Sequence, residues 1–248
     1  MYDAIFSVEG EPFVIFKISH LVMLSIYFVG FILIIYFNSL KRQPFYKRIY
    51  NIIRWSLFIL LILSEISYQI WSASTGIWNL KEHIPLHLCG VASITAALTL
   101  LLQNKMLATL TFYIGLVPAL IALITPDLLY NFPHFRFWKF FVHHIVISWA
   151  SLFVIVTSSI TLKYRSLLIS YGLLLIYAAF IGFIVNPILD VNYLYLRNTP
   201  ISNTPLNYFG DGVLYYVNLC LVALTVFSIQ WAIVRYFQNR KDSAEPLL

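Results

Sequence analysis

The sequence predicts an all-α integral membrane protein: a single domain, residues 1–248, folded as a bundle of seven transmembrane helices, with the amino terminus outside and the carboxyl terminus in the cytoplasm. Three observations predict it. Hydrophobic residues make up 60% of the chain and charged residues only 10%, with a mean hydropathy of +0.82, where a soluble domain carries about 25% charged residues. Seven apolar stretches reach the roughly 20 residues needed to cross hydrocarbon. The basic residues, finally, are split unevenly between alternate connections. Helices are expected throughout, because a lone strand would leave its backbone groups unpaired in lipid.

The first stretch, Val14–Phe37, follows Asp3, Glu9 and Glu11. A signal peptide would be basic there, so this run reads as a span. The second, Ile52–Trp71, carries Glu65 inside its apolar run. The third, Pro85–Leu102, places a proline near the first helical position, and the tight turn Gln103-Asn104-Lys105 joins it to the fourth, Leu107–Thr125, as an antiparallel hairpin. The fifth, Phe137–Thr161, contains the pair His143-His144. The sixth, Leu167–Val185, leads into a polar stretch, Asn186–Gly212, long enough to lie over the bundle as a lid. Val213–Val234 is the seventh.

Topology follows from charge. Lys41, Arg42, Lys47, Arg48, Arg54, Lys105, Lys163, Arg165, Arg235, Arg240 and Lys241 make eleven basic residues on one side, against five on the other. By the positive-inside rule the eleven face the cytoplasm, and the net charge of +6 reflects these loops rather than a nucleic-acid surface. Trp71, Trp78, Trp138 and Trp231 sit at helix ends, as interfacial belts require. Cys89 and Cys220 both lie in apolar runs, so no disulfide framework is implied. Cys220 reads as a small apolar filler.

All six histidines (His20, His83, His87, His134, His143 and His144) fall in the outer loops or outer thirds of the helices. Glu65 lies about two turns below the outer end of the second helix and shares a face with Gln69 and Ser72. Ionisable groups inside a membrane mark a functional site by default. Against that, His83 and His134 read as hydrated loop residues, His20 as an interface anchor or a site residue, and Glu65 as a packing carboxyl or a site residue. Cys89 is the candidate nucleophile, because a cysteine at a helix start sits at the positive end of the macrodipole. His87 is two residues away and points about 200° from it, so a base has to come from another helix. One of His143 and His144 can face inward, and cysteine with histidine across two helices is an activated-thiol arrangement. The same atoms, His87, Cys89, His144 and Glu65 or His20, offer a weak zinc set. The sequence has neither CxxC nor HExxH, and neither a metal nor a cofactor is expected.

Several segments carry a resemblance. Glu11-Pro12-Phe13 through Ser19-His20, Glu65-Ile66-Ser67 with Gln69-Ile70-Trp71, and His83-Ile84-Pro85-Leu86-His87-Leu88-Cys89-Gly90 resemble the YwaF-like bacterial integral membrane proteins. So do Leu123-Ile124-Thr125-Pro126-Asp127, Phe132-Pro133-His134-Phe135-Arg136-Phe137 with His144, and Asn192-Tyr193-Leu194-Tyr195-Leu196. That family is similar to eukaryotic multi-pass acyltransferases that move acyl chains between phospholipids. The resemblance implies a Cys/His site at Cys89 and His144, with His87 and Glu65 in support. It departs at Thr199-Pro200 and at Gly212–Tyr216, both tied to the outer loop. The expectation is a transacylase of a bacterial cytoplasmic membrane that uses membrane phospholipids, with Arg136, His20, Gln69, Asn192 and Tyr193 contacting substrate. Nucleic acid and an obligate protein partner are not expected. The competing readings are a seven-helix transporter or receptor with a Glu/His relay, and a metal-dependent lipid hydrolase.

Overall fold

The computed structural model describes residues 5–200 and 204–244, the last four by backbone only. Seven helices dominate it: α1 (Ile18–Ser39), α2 (Tyr46–Ser74), α3 (Leu88–Leu102), α4 (Lys105–Ile124), α5 (Phe135–Thr157), α6 (Tyr164–Phe180) and α7 (Gly212–Ala244). A π-turn, Ile181–Val185, and a last turn, Asn186–Leu189, extend α6. Among the described residues the single β-bridge joins Pro12 to Tyr130. Six of the helices are long and apolar enough to cross a membrane, and α3 is not. Of the seven spans expected, six are therefore matched by helices of spanning length, and the third by a shorter apolar helix.

The shortfall in α3 has a local cause. Pro85 does not open the helix as expected. The chain stays extended through His87, which is the N-cap (ψ 158°), and α3 begins at Leu88. Pro85 instead folds back onto Gly90, where any Cβ would stand 2.4 Å from the Pro85 carbonyl oxygen. The remaining 15 residues rise about 22 Å, short of a hydrocarbon core of about 30 Å. The hairpin to α4 is as expected: Gln103 takes a left-handed turn (φ 52°) and the Asn104 side chain accepts from the Met106 and Leu107 amides.

Helix α5 is the axis of the bundle. It packs against α1, α2, α3 and α4, while α6 and α7 pair with each other and lean on α4. In lipid there is no hydrophobic drive between helices, so close approach at small residues and interhelical hydrogen bonds have to hold them. Ser148 Oγ donates to Leu116 O (3.2 Å) and meets the Tyr27 hydroxyl (3.0 Å), Ser151 Oγ donates to Thr111 O (3.1 Å), and Trp149 Nε1 donates to Tyr27 O (3.1 Å). Gly30 and Gly115 supply the room: a Cβ at Gly30 would fall 2.0 Å from the Trp149 ring, and one at Gly115 2.3 Å from Ser151 Oγ. The outer flanks of α1, α6 and α7 carry exposed apolar residues such as Ile32, Phe183 and Val213, a surface suited to lipid. Trp71 is buried, its Nε1 donating to Phe6 O, and so is no belt residue.

Gly30→Ala forces Trp149 off its bond to Tyr27 and is expected to lower stability by about 1–3 kcal/mol. Gly172→Ala, where a Cβ meets nothing within 4 Å, should leave it unchanged or slightly raised. Thermal unfolding of the two variants in one detergent checks the contrast.

Candidate functional site

The polar residues singled out in the sequence lie at one end of the bundle, around the start of α3. Cys89 occupies the first turn, so the backbone N–H groups of Cys89 and Gly90 approach its own sulfur. The charged groups acting on the thiol are Lys139 of α5 and Glu65 of α2. Lys139 Nζ lies 3.8 Å from Glu65 Oε2 and 4.7 Å from the centre of the Tyr68 ring. Glu65 Oε1 accepts from Gln69 Nε2 (2.8 Å), as their spacing of four on one helix face implies.

Gln69 is fully engaged. Its amide also donates to His83 O (2.8 Å), and its oxygen accepts from Trp78 Nε1 (2.8 Å). Arg136 lies over the rings of Tyr68 (5.0 Å) and Trp71 (5.7 Å) and donates to the Tyr68 hydroxyl (3.3 Å). Two cations one helical turn apart therefore share the Tyr68 ring, and one of them, Lys139, pairs with Glu65.

Both histidines of the α5 pair are buried. His144 Nδ1 donates to Phe140 O (2.8 Å). A carbonyl can only accept, so the neutral ring carries its hydrogen on Nδ1 and keeps the lone pair on Nε2. His143 Nδ1 stands 3.1 Å from Ser64 Oγ, and that pair is also buried. The two rings are 5.8 Å apart at their centres. Among the described residues no hydrogen bond joins Cys89 to either histidine or to His87.

The remaining candidates do structural work. His87 faces the outer loop, its ring 5.1 Å from Tyr193 and 5.3 Å from Tyr195. His20 accepts the Phe16 amide at Nδ1 (3.0 Å) and donates from Nε2 to Leu123 O (2.8 Å), which ties the start of α1 to the end of α4. His83 is buried and stacked on Tyr68, not hydrated. Asn192 gathers the loop by accepting from the Arg197 and Asn198 amides (2.9 and 3.2 Å). Tyr193 is buried, with its backbone clasped on both sides by the Asn186 side chain (2.9 and 3.0 Å), and Tyr195 donates to Asp127 Oδ2 (2.7 Å). The loop thus covers the start of α3, as a lid would. Its residues 201–203 lie outside the described residues.

Lys139, Tyr68 and Ser64 were not singled out by the sequence reading. The spacing of three between Arg136 and Lys139 was a usable signal, since it puts both on one helix face. Ser64 carries no signal beyond adjoining Glu65. Among the described residues no three of His, Cys, Asp and Glu come together as a metal site, so the zinc set is not assembled.

The chain belongs to the TMEM164 family, whose model matches residues 15–231. No curated protein and no solved structure matches it.

His134 likewise is buried rather than hydrated, and it ties the amino-terminal segment to α5. Nδ1 accepts the Arg136 amide (3.1 Å) and Nε2 donates to Ser7 O (2.9 Å). Burial holds its imidazole below the usual histidine range, the bond to Ser7 pulls the other way, and Arg136 adds to the lowering. As pH falls the unfolded chain takes up the proton first. The stability from this contact is therefore complete above pH ~6.5 and is lost below it. Amide exchange in residues 5–17, corrected for intrinsic rates, should rise between about pH 7 and 5, and His134→Gln should abolish that pH step.

Proposed function

We propose that this member of the TMEM164 family is a membrane-embedded acyltransferase that carries an acyl chain on Cys89 between a phospholipid donor and a lipid or lipidated acceptor. The observation behind it is the thiol in the first turn of α3, with two backbone N–H groups at its sulfur and the Lys139 ammonium within electrostatic reach. A helix start and a cation favour negative charge as it develops on a reacting sulfur.

In the first half-reaction the sulfur attacks the donor ester carbonyl. A C–S bond forms, the C–O bond breaks, and the alcohol leaves as a lysophospholipid. His144 Nε2 takes the thiol proton and returns it to that alcohol, then serves the incoming acceptor hydroxyl in the same way. Its ring is oriented for this by the bond from Nδ1 to Phe140 O. Glu65 holds Lys139 rather than His144, and Lys139 is the cation whose field acts on the sulfur. Arg136, paired with aromatic faces rather than with a carboxylate, suits a headgroup phosphate. On this reading the Cys89 end faces the outer leaflet of a bacterial cytoplasmic membrane, an orientation that the basic-residue asymmetry supports.

One contact favours a second reading. Ser64 and His143 form a buried serine–histidine pair at 3.1 Å, and such a pair can carry the same acyl group as an oxygen ester.

Intact mass and peptide mapping after incubation with labelled phospholipid separate the two. The thioester reading expects an adduct on Cys89 that neutral hydroxylamine removes, is absent from Cys89→Ala, and forms about 10²–10⁴-fold more slowly in His144→Ala. A hydroxylamine-resistant adduct on Ser64 in Cys89→Ala protein would replace it with the serine reading. Acyl transfer at the wild-type rate in Cys89→Ala, with no adduct on either residue, would reject both.

A further inference from the structure

At the end of the bundle opposite Cys89, a groove of about 400 Å³ opens between the start of α2, the α3–α4 turn and the end of α5. It is lined by Tyr46, Lys47, Tyr50, Asn51, Gln103 and Thr157. None of these is a carboxylate, and no Asp or Glu occurs anywhere between Glu11 and Glu65. The lining is rich in hydrogen-bond donors. The Tyr46 hydroxyl is buried with no hydrogen-bond partner. The Tyr50 hydroxyl oxygen accepts from Gln103 Nε2 (3.0 Å), which leaves its hydrogen to give. Both phenols are held in place, Tyr46 stacked on Phe37 (4.7 Å) and Tyr50 on Phe153 (5.1 Å).

The charges around the groove divide into two kinds. Arg54 is turned onto the carbonyls of Leu100 and Leu101 at the end of α3, and Lys41 donates to Val156 O at the end of α5 (3.1 Å). These two offset helix carboxyl termini. Lys47 is on the groove wall and forms neither of the two ion pairs found among the described residues. The first turn of α2 has no acidic residue and no side-chain cap, so its positive end is not neutralised. The Tyr50 hydroxyl, the Lys47 ammonium and Asn51 line a groove with no carboxylate on its walls, and the Tyr46 hydroxyl is left without a partner at its edge. A phosphate group, with several acceptor oxygens and a full charge, complements that set.

We propose that this groove is a phosphate-binding site, separate from the Cys89 end and independent of the acyl-transfer reading. Two sources present that chemistry, the headgroup of an anionic lipid and a soluble phosphate.

The full-length protein in phosphatidylcholine nanodiscs with about 10 mol% phosphatidylglycerol, examined by native mass spectrometry, tests it. The wild type should retain one phosphatidylglycerol. Tyr46→Phe/Tyr50→Phe, which leaves the net charge unchanged, should retain it about tenfold less, and Lys47→Gln likewise. Lys163→Gln, on a neighbouring connection, should match the wild type. Millimolar inorganic phosphate that displaces the lipid and raises the melting temperature of lipid-free protein would support the site with soluble phosphate as occupant. Failure to displace it supports the headgroup. Equal retention by the double phenylalanine variant and the wild type would overturn the proposal, because only diffuse attraction to the basic loops would be left. Neither lipid retention nor stabilisation by phosphate in the wild type would overturn it too. If circular dichroism shows the double variant unfolded, Tyr50→Phe alone makes the same comparison.

Discussion

Lys139 and Glu65 face each other at 3.8 Å across α5 and α2, and Gln69 and Tyr68 are placed against one or the other. Glu65 fixes Gln69, which holds the carbonyl of His83 and the indole of Trp78. Lys139 lies on the Tyr68 ring, which also carries Arg136. A half-buried ion pair adds little net stability, but losing one partner strands the other charge at a cost of about 3–5 kcal/mol. That penalty is what makes the pair an organising contact: neither helix can rotate or slide without separating it. Cys89 enters this framework from α3 as a neutral, polarisable group beside two charges that already balance.

The histidines show how little of a polar inventory is free for chemistry in a dry bundle. A ring nitrogen buried without a partner is costly, and three of the six histidines meet that demand through backbone contacts in the outer segments. His20 bridges α1 and α4, His83 closes its own one-turn helix against Asn79, and His134 ties down Ser7. His87 is taken by the aromatic loop. Only the α5 pair remains deep in the bundle, and its members are differentiated by their partners. Phe140 O sets the tautomer of His144, while Ser64 occupies His143. Neighbours in sequence thus have different chemical capacities.

Much of the architecture was legible because lipid imposes a coarse rule. A run of about 20 apolar residues has to be a helix, and all seven runs are, six of them at spanning length. The Asn104 cap and the spacing of Glu65 and Gln69 were readable for the same reason, both being local. Pro85 shows where local reading fails. Its position suited a helix start, yet its carbonyl packs on Gly90 and delays the helix to Leu88. Nothing in the sequence links Lys139 to Glu65, since the two lie 74 residues apart and no periodicity joins them. The comparison establishes the TMEM164 family, over residues 15–231, and not the likeness to YwaF-like proteins.

Sequence alone determined the environment, the helices and the end of the bundle where the ionisable groups collect, because burial length, charge asymmetry and helical spacing are properties of contiguous residues. Tertiary structure decided which of those groups meet. The pairing of Lys139 with Glu65, of Ser64 with His143, and of the α3 start with the Tyr193–Tyr195 loop depends on how three or four helices rotate about α5. That rotation is set by where glycine and serine let the backbones approach, at Gly30 against Trp149 and Gly115 against Ser151. Such fits between distant surfaces leave no repeat or spacing in the chain itself.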